Sequence, residues 1–499
     1  MIYLTLATDK PTSVQSIIDA EFRLNELVTV CSLSEAQPDS LAIREETIEH
    51  PLDWAQRLPP VLLPSPLRCT PDTLLAVVYL HLDNWENVYE HAQHDRPLAD
   101  ALDLINRLQA GVSVELPAAP VNGSGSFDTY RRWHNRAVAA HYGHIDTPEE
   151  TIRQAYQMAV SQAPDAGHRA FTARHYATFL ADLGQLAEAD QLITEVTEAD
   201  LSNDAAIELL AVQTSIWLQQ LTVPYDEALL TRTKDGLWRV LQHYEGQHRL
   251  AQVGMLLLDA AQVANFQNSF AEALGYLSRA INLFREEELP ELVANAQYRK
   301  GILLYTWAQN GNPQFYRPAM EAYQEALKLF TQQNAPAIFA DIQHHLGVIY
   351  AKIPDEARKK GIWAAISSSS FKHALAYYTK EAFPYEYATI CNHFANAITN
   401  YPQAARSDNY AKAIGLYRDA LTIRTADRYP YERALTILNY LEAGWYVGED
   451  DPQHQQALYA DMVRKAREVS SLVEDENLIR DADQHLLKLA DIQRDILSV

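Results

Sequence analysis

Phe383-Pro384-Tyr385-Glu386-Tyr387-Ala388 and Tyr429-Pro430-Tyr431-Glu432-Arg433-Ala434 are one six-residue phrase written twice, 46 residues apart. Two looser copies stand upstream, Pro290 with Ala294 and Pro336 with Ala340. The proline thus recurs at intervals of 46, 48 and 46 residues, each time with an alanine four positions on. Self-similarity at such a period marks an array of stacked structural units. A second phrase precedes each proline: Ala273-Leu274…Leu277…Ala280-Ile281, Ala319-Met320…Tyr323…Ala326-Leu327, Ala374-Leu375…Tyr378 and Ala413-Ile414…Tyr417…Ala420-Leu421. The spacing i, i+4, i+7 puts these residues on one face of a helix. Small beside large lets two helices approach closely and interlock. The proline then closes one helix and opens the next, because it lacks an N–H and fixes φ.

Seven residues after the first three alanines stand further small residues, Gly301, Gly347 and Ala395; the fourth copy has Leu441 there. Leu346-Gly347-Val348-Ile349-Tyr350 and Ala319-x-x-x-Tyr323-x-x-Ala326 resemble the A and B helices of the tetratricopeptide repeat (TPR). Weaker copies are Tyr176-Ala177-x-x-Leu180 with Gly184 and Ala189, and Ala155-Tyr156 with Ala159 before Pro164. The resemblance covers roughly residues 130–470. It departs in period, since the usual unit has about 34 residues. The excess is expected between the A and B helices, in Gln309 to Tyr316, Pro354 to Ser370 and Tyr401 to Asn409, as longer helices or protruding loops. Long-period repeats of this kind are similar to those of bacterial proteins that also carry a caspase-like peptidase. No such peptidase is recognisable here, so only the scaffold is carried over.

The resemblance implies an all-α, right-handed superhelical solenoid of TPR-like helix pairs, with a small irregular or α/β N-terminal cap. The expected divisions are a cap or small module at 1–70, a helical segment plus Gly/Ser linker at 71–126, repeats at 127–473 and a capping helix at 474–499. Neighbouring pairs must stack, because one pair cannot bury both of its faces. The A helices then line a groove suited to a peptide or a partner helix.

Composition agrees with a binding scaffold. Of 499 residues, 47% are hydrophobic and 21% charged, enough to bury a core. The net charge of −24 runs against nucleic-acid binding, which needs a basic surplus, and against anionic membranes. Cys31, Cys69 and Cys391 are too few for a disulfide framework and fit a reducing compartment. No run reaches the roughly 18–20 apolar residues of a membrane span, and the N-terminus lacks a basic leader. A cytoplasmic location is expected. Residues 1–70 differ from the rest: Ile2–Ala7 and Leu27–Leu33 read as short strands around a helical Val14–Leu27. The window Leu58-Pro59-Pro60-Val61-Leu62-Leu63-Pro64-Ser65-Pro66 forbids a helix and favours extended chain. Helices follow at Thr73–Leu82, Asn84–Ala92 and Leu98–Leu108. Asn122-Gly123-Ser124-Gly125-Ser126 reads as a flexible linker.

The residues that elsewhere carry chemistry have plainer readings here. Cys391 and His393 point apart on a helix. His134 lies too far from His141 and His144 to share an ion with them, and the adjacent pair His344-His345 diverges on a helix. The acid runs Glu286–Glu288 and Glu449–Asp451 suit solvated helix ends and turns. No cofactor or metal is implied. Candidate partner-binding residues come from the repeat register. Four after each A-helix alanine stand Tyr298, His344, Asn392 and Leu438; eight after stand Ile302, Val348, Asn396 and Glu442. Asn392 and Asn396 are i, i+4 neighbours, suited either to holding a peptide backbone or to bonding between helices. The segment from Glu356 to Ser370 carries Arg358 and Trp363, residue types enriched in binding hot spots. It reads as a protruding A–B loop whose last serine caps the B helix. The favoured function is a non-catalytic scaffold or adaptor for a protein or peptide partner, with self-association open. The rivals are a ligand-responsive sensor and an enzyme whose site lies in the N-terminal region.

Overall fold

The computed structural model describes residues 3–37, 40–120, 127–353, 356–402, 408–448 and 451–497, with backbone alone at 357, 358 and 492–497. The packing divides into two units, Met1–His243 and Tyr244–Val499.

The first unit opens with β1 (Leu4–Thr8), α1 (Pro11–Ala20), β2 (Val28–Ser32), β3 (Leu41–Arg44), β4 (Thr47–Ile48) and β5 (Leu67–Arg68). They form one five-stranded sheet in the order β2-β1-β3-β4-β5. β1 pairs in parallel with β2 and β3, while β3–β4 and β4–β5 are antiparallel. The sheet does not keep a core to itself. Leu6, Ile18 and Ile43 share one apolar cluster with Leu74, Val78 and Leu102, from α2 (Pro71–His81), α3 (Trp85–Ala92) and α4 (Arg96–Gln109). α2 is buried at every position from Thr73 to Leu80; Thr70 caps it and Pro71 opens it. Among the described residues helices then run without further strands: α5 (Phe127–Tyr142), α6 (Glu149–Gln162), α7 (Ala166–Asp182), α8 (Leu186–Thr197), α9 (Asn203–Gln220) and α10 (Glu227–Gly246). The expected Gly/Ser linker at 122–126 lies outside the described residues.

The second unit pairs α11 (Leu250–Phe266) with α12 (Phe270–Glu286), α13 (Pro290–Gln309) with α14 (Tyr316–Ala326), and α15 (Pro336–Lys352) with α16 (Ala357–Tyr377). It continues with α17 (Pro384–Thr399) and α18 (Asn409–Ile423), then α19 (Pro430–Gly444) and α20 (Pro452–Leu472), and ends with α21 (Glu476–Leu497). Each repeat proline opens an A helix: Pro290, Pro336, Pro384 and Pro430 are all first-turn residues. The small residues mark the closest crossings. A Cβ on Gly301 would meet the Tyr323 ring at 2.6 Å, and one on Gly347 would meet the Phe371 ring at 2.9 Å. Both rings are fully buried, so each pair trades a side chain on A for an aromatic on B. In the fourth copy, where Leu441 replaces the small residue, the crossing moves one turn along. Gly444 takes the place, with a Cβ there meeting Met462 Sδ at 2.8 Å.

The Gly347–Phe371 contact corrects the register expected for the third B helix. Ser367, Phe371 and Ala374, and not Ala374 and Tyr378, occupy the places of Ala319, Tyr323 and Ala326. Ser367 is fully buried and its Oγ donates to the Gly347 carbonyl at 2.5 Å. A serine there serves as alanine does, small enough for close approach, and its hydroxyl is satisfied. The segment expected to protrude as a loop through Ser370 is therefore helix from Ala357 onward, and Ser370 is a buried mid-helix residue, not a cap. From 357 to 366 only Gly361 opposes helix formation, so the long period is taken up here by extra turns of α16. Among the described residues the protein is about 71% helical: an all-α array of TPR-like helix pairs preceded by one small sheet.

Candidate partner-binding face

In the second unit consecutive A helices touch one another, α11 with α13 and on through α21. Their shared face is polar where a globular core would be apolar. The Tyr298 hydroxyl on α13 donates to Asp341 on α15 at 3.4 Å, and Asp341 also accepts from the Tyr378 hydroxyl at 2.7 Å. His344 Nε2 on α15 lies 2.8 Å from His393 Nδ1 on α17, the two rings near-parallel with centroids 5.0 Å apart. Asn439 Nδ2 on α19 donates to Asn392 Oδ1 on α17 at 3.4 Å. Glu442 on α19 lies 3.9 Å from His485 on α21. Apart from the Tyr378–Asp341 bond, which closes α15 on its own partner α16, each link joins one repeat to the next, so the A helices are stitched by side-chain pairs.

Burial sets the protonation of the seam. Desolvation lowers His345 and His393 to about 4 and takes His344 well below its ordinary value, so at neutral pH the His344–His393 pair is neutral, one nitrogen donating and the other accepting. His345, expected to diverge from His344, instead lies stacked beside it with ring centroids 5.4 Å apart and bonds the Tyr323 hydroxyl at 2.9 Å. Burial raises Asp259 on α11 to about 6, with Arg299 on α13 opposing the shift. It raises the packed Cys391 thiol to about 11, which leaves little thiolate for chemistry. Arg424, 5% exposed, reaches from the end of α18 to Thr389 Oγ1 on α17 at 3.0 Å and Thr436 Oγ1 on α19 at 2.8 Å, fixing two A helices from behind.

Tyr298, His344 and Asn392, expected to face a partner, are thus engaged with neighbouring repeats. Asn392 is buried. Asn396 stays half-buried and its Oδ1 accepts from the Tyr417 hydroxyl on α18 at 2.5 Å, so both asparagines bond between helices. Trp363 lies on helix α16, half-buried, its ring stacked on Tyr350 at 5.5 Å and 11°. The Arg358 side chain lies outside the described residues. Ile302 on α13 is half-buried, and Leu435 and Glu442 on α19 are exposed. Sequence reasoning missed Asp341, His393 and Asn439 as the partners of the seam. A signal was present: two of the links join the residue four after one alanine to the residue five after the next.

The helix pairs, their small-against-aromatic crossings and their stacked A helices define a TPR-like helical-repeat protein. No family model and no curated protein matches the chain. Among solved structures it is similar to yeast Tom70, at 12% identity over 85% of this chain and 83% of that one, with a TM-score of 0.34. It is similar also to the Cut9-Hcn1 hetero-tetramer of the APC/C (15%, 88% and 80%, TM-score 0.31) and to a human IFIT1 dimer with PPP-AAAA (13%, 85% and 90%, TM-score 0.32). At these TM-scores the likenesses carry no weight of their own, and the assignment stands on the packing above.

Proposed function

We propose that the protein is a non-catalytic scaffold or adaptor that holds a protein or peptide partner on the A-helix face of its second unit. The observation that supports this is the seam. Its polar groups are largely satisfied in pairs, which makes a preformed surface, with Leu435 exposed on α19. Paired, neutral histidines and a protonated thiol favour recognition over catalysis. The net charge of −24 favours a protein partner over nucleic acid, and a cytoplasmic setting fits the sparse cysteines. In this reading the N-terminal sheet caps the array.

The test is affinity capture from the source cell with three forms of the full chain. Wild type should recover one specific protein. The variant Leu435→Lys, altering an exposed side chain only, should lose it at unchanged Tm. The outer-helix control Ile362→Ser, Ile366→Ser should retain it. Retention by the first variant with loss by the control would move the site to the extension of α16 and refute the face named here.

A further inference from the structure

The first unit carries an A-helix face that is not open, and its cover is the chain itself. β4 and β5 pair directly, Ile48 with Leu67, and the residues between them make an 18-residue excursion across α5 and α7. Loops of that length without secondary structure in a compact unit are commonly functional. The helices hold the excursion mainly by its backbone. Asn135 clamps Leu62 from both sides, its Oδ1 accepting from the Leu62 N–H at 2.8 Å and its Nδ2 donating to the Leu62 carbonyl at 2.9 Å. His134 Nε2 lies 2.7 Å from the Pro60 carbonyl, and Arg174 Nη1 donates to the Trp54 carbonyl at 3.1 Å. Side chains anchor it too: Trp54 lies edge-on to Phe171 with centroids 5.3 Å apart, and Leu52 and Leu62 pack in the same apolar cluster.

Burial is graded along the excursion. Val61, Leu62 and Leu63 are buried, whereas 50–60 are half-buried or exposed throughout. The inner end is thus core, and the outer ten residues are a cover whose loss breaks no strand pairing. Beside that cover lies an open pocket of about 510 Å³, lined by Gln56 and Pro60 from the excursion and by Gln109, Tyr142, His175 and Thr178 from the helices. The His175 ring is 2% exposed and its Nε2 has no hydrogen-bond partner. A buried polar atom without a partner is costly, and a ligand carbonyl or carboxylate oxygen would satisfy it when that nitrogen carries the proton.

We propose that the face of α5 and α7 is a peptide-binding groove that the chain plugs with its own residues 51–60, and that its ligand in trans is a turned, proline-containing peptide with an aromatic anchor. The plug supplies the template: it turns at Asp53–Gln56, with Gln56 at a φ of 53°. Contacts to the Trp54 and Pro60 carbonyls accept any chain that follows the same turned course, while the edge-on contact with Phe171 asks for an aromatic residue. Competition between plug and ligand sets the apparent affinity, because the groove is available only in the fraction of molecules whose plug is released. This proposal is independent of the face on the second unit.

The test uses the full chain with residues 51–60 replaced by ten Gly/Ser residues, and as probe a fluorescein-labelled synthetic peptide with the sequence of 50–61. The replaced chain should bind the probe saturably, wild type at least tenfold more weakly, and a probe carrying Trp54→Ala at least tenfold more weakly than the parent probe. A folded replaced chain that does not bind, or equal binding by wild type, overturns the proposal. Should the replaced chain not fold, Trp54→Ala in the full chain takes its place. It must bind the unaltered probe more tightly than wild type does, and equal affinity overturns the proposal.

Discussion

The two units satisfy the same kind of surface in different ways. On α5 and α7 the polar side chains of the A helices pair sideways, His134 with Thr172 and Arg174 with Glu208, and also reach outward to a backbone: Asn135 to Leu62, His134 to Pro60, Arg174 to Trp54. On α13 to α19 they reach sideways to one another: Tyr298 to Asp341, His344 to His393, Asn392 to Asn439. Buried polar groups are almost always paired. What differs is whether a backbone also supplies a partner, and that decides whether the face is already spoken for. The first face is filled in cis; the second is self-satisfied and uncovered.

The largest effect expected on this contrast comes from Arg174→Ala. Arg174 and Glu208 form a buried pair at 2.5 Å, with side chains 7% and 1% exposed. Removing the cation leaves a buried carboxylate without it and should cost about 3–5 kcal/mol, read as a lower urea midpoint for the first unit with the second unit's transition unmoved. A shift in both transitions would break the separation drawn here. Next come the crossings of the second unit. Gly301→Ala forces a methyl group against Tyr323 and should destabilise by about 1–3 kcal/mol. Gly275→Ala in α12, where nothing lies within 4 Å, should stabilise by about 0.5–1 kcal/mol. Chemical denaturation of the two variants separates a packing glycine from an idle one.

Acid should then act on both units, with a brake on the second. His134, His345 and His393 are held near 4 by burial, below their unfolded value of about 6.5. Between those values the unfolded chain binds more protons, so stability is full above about pH 6.5 and falls as pH drops toward 4. Asp259, raised to about 6, has the opposite sign: it penalises the folded state above pH 6 and the penalty fades as pH falls toward the unfolded value of about 4. Asp259→Asn should therefore raise Tm at pH 7 by about 2–4 °C and steepen the acid loss of the second unit alone. Thermal scans from pH 4 to 8 give both slopes; an unchanged slope contradicts the assignment. The smallest effect is expected from Ile362→Ser with Ile366→Ser on α16, 60% and 38% exposed, which should move stability by no more than about 0.5 kcal/mol.

Much of the second unit was legible because its information is local and repeated. A proline at each A-helix start, and glycines at 301 and 347 seven residues after the alanines, convert directly into helix boundaries and crossings. Where the repeat phrase blurred, reading failed: Ser367 stands where alanine stands elsewhere, and the third B helix was set seven residues off. The seam was half legible. The register groups 298, 344 and 392 as equivalent positions, but the side chains they bond lie 43 to 49 residues away and only a second register position finds them. The cover of the first unit was not legible at all. The prolines at 59, 60, 64 and 66 say extended chain and nothing about where it lies, and its contacts span 73 to 120 residues with no periodicity to betray them.

One experiment confronts the two faces together: a photo-crosslinking residue placed at Thr178 in the first unit and, separately, at Ile302 in the second, each in the full chain irradiated inside the source cell. Thr178 lines the pocket beside the excursion and should give only an internal adduct, mapping to residues 56–60. Ile302 should give an adduct with another protein. An intermolecular adduct from 178 without the internal one, or none from 302, would contradict the account of one face closed by its own chain and the other open to a partner.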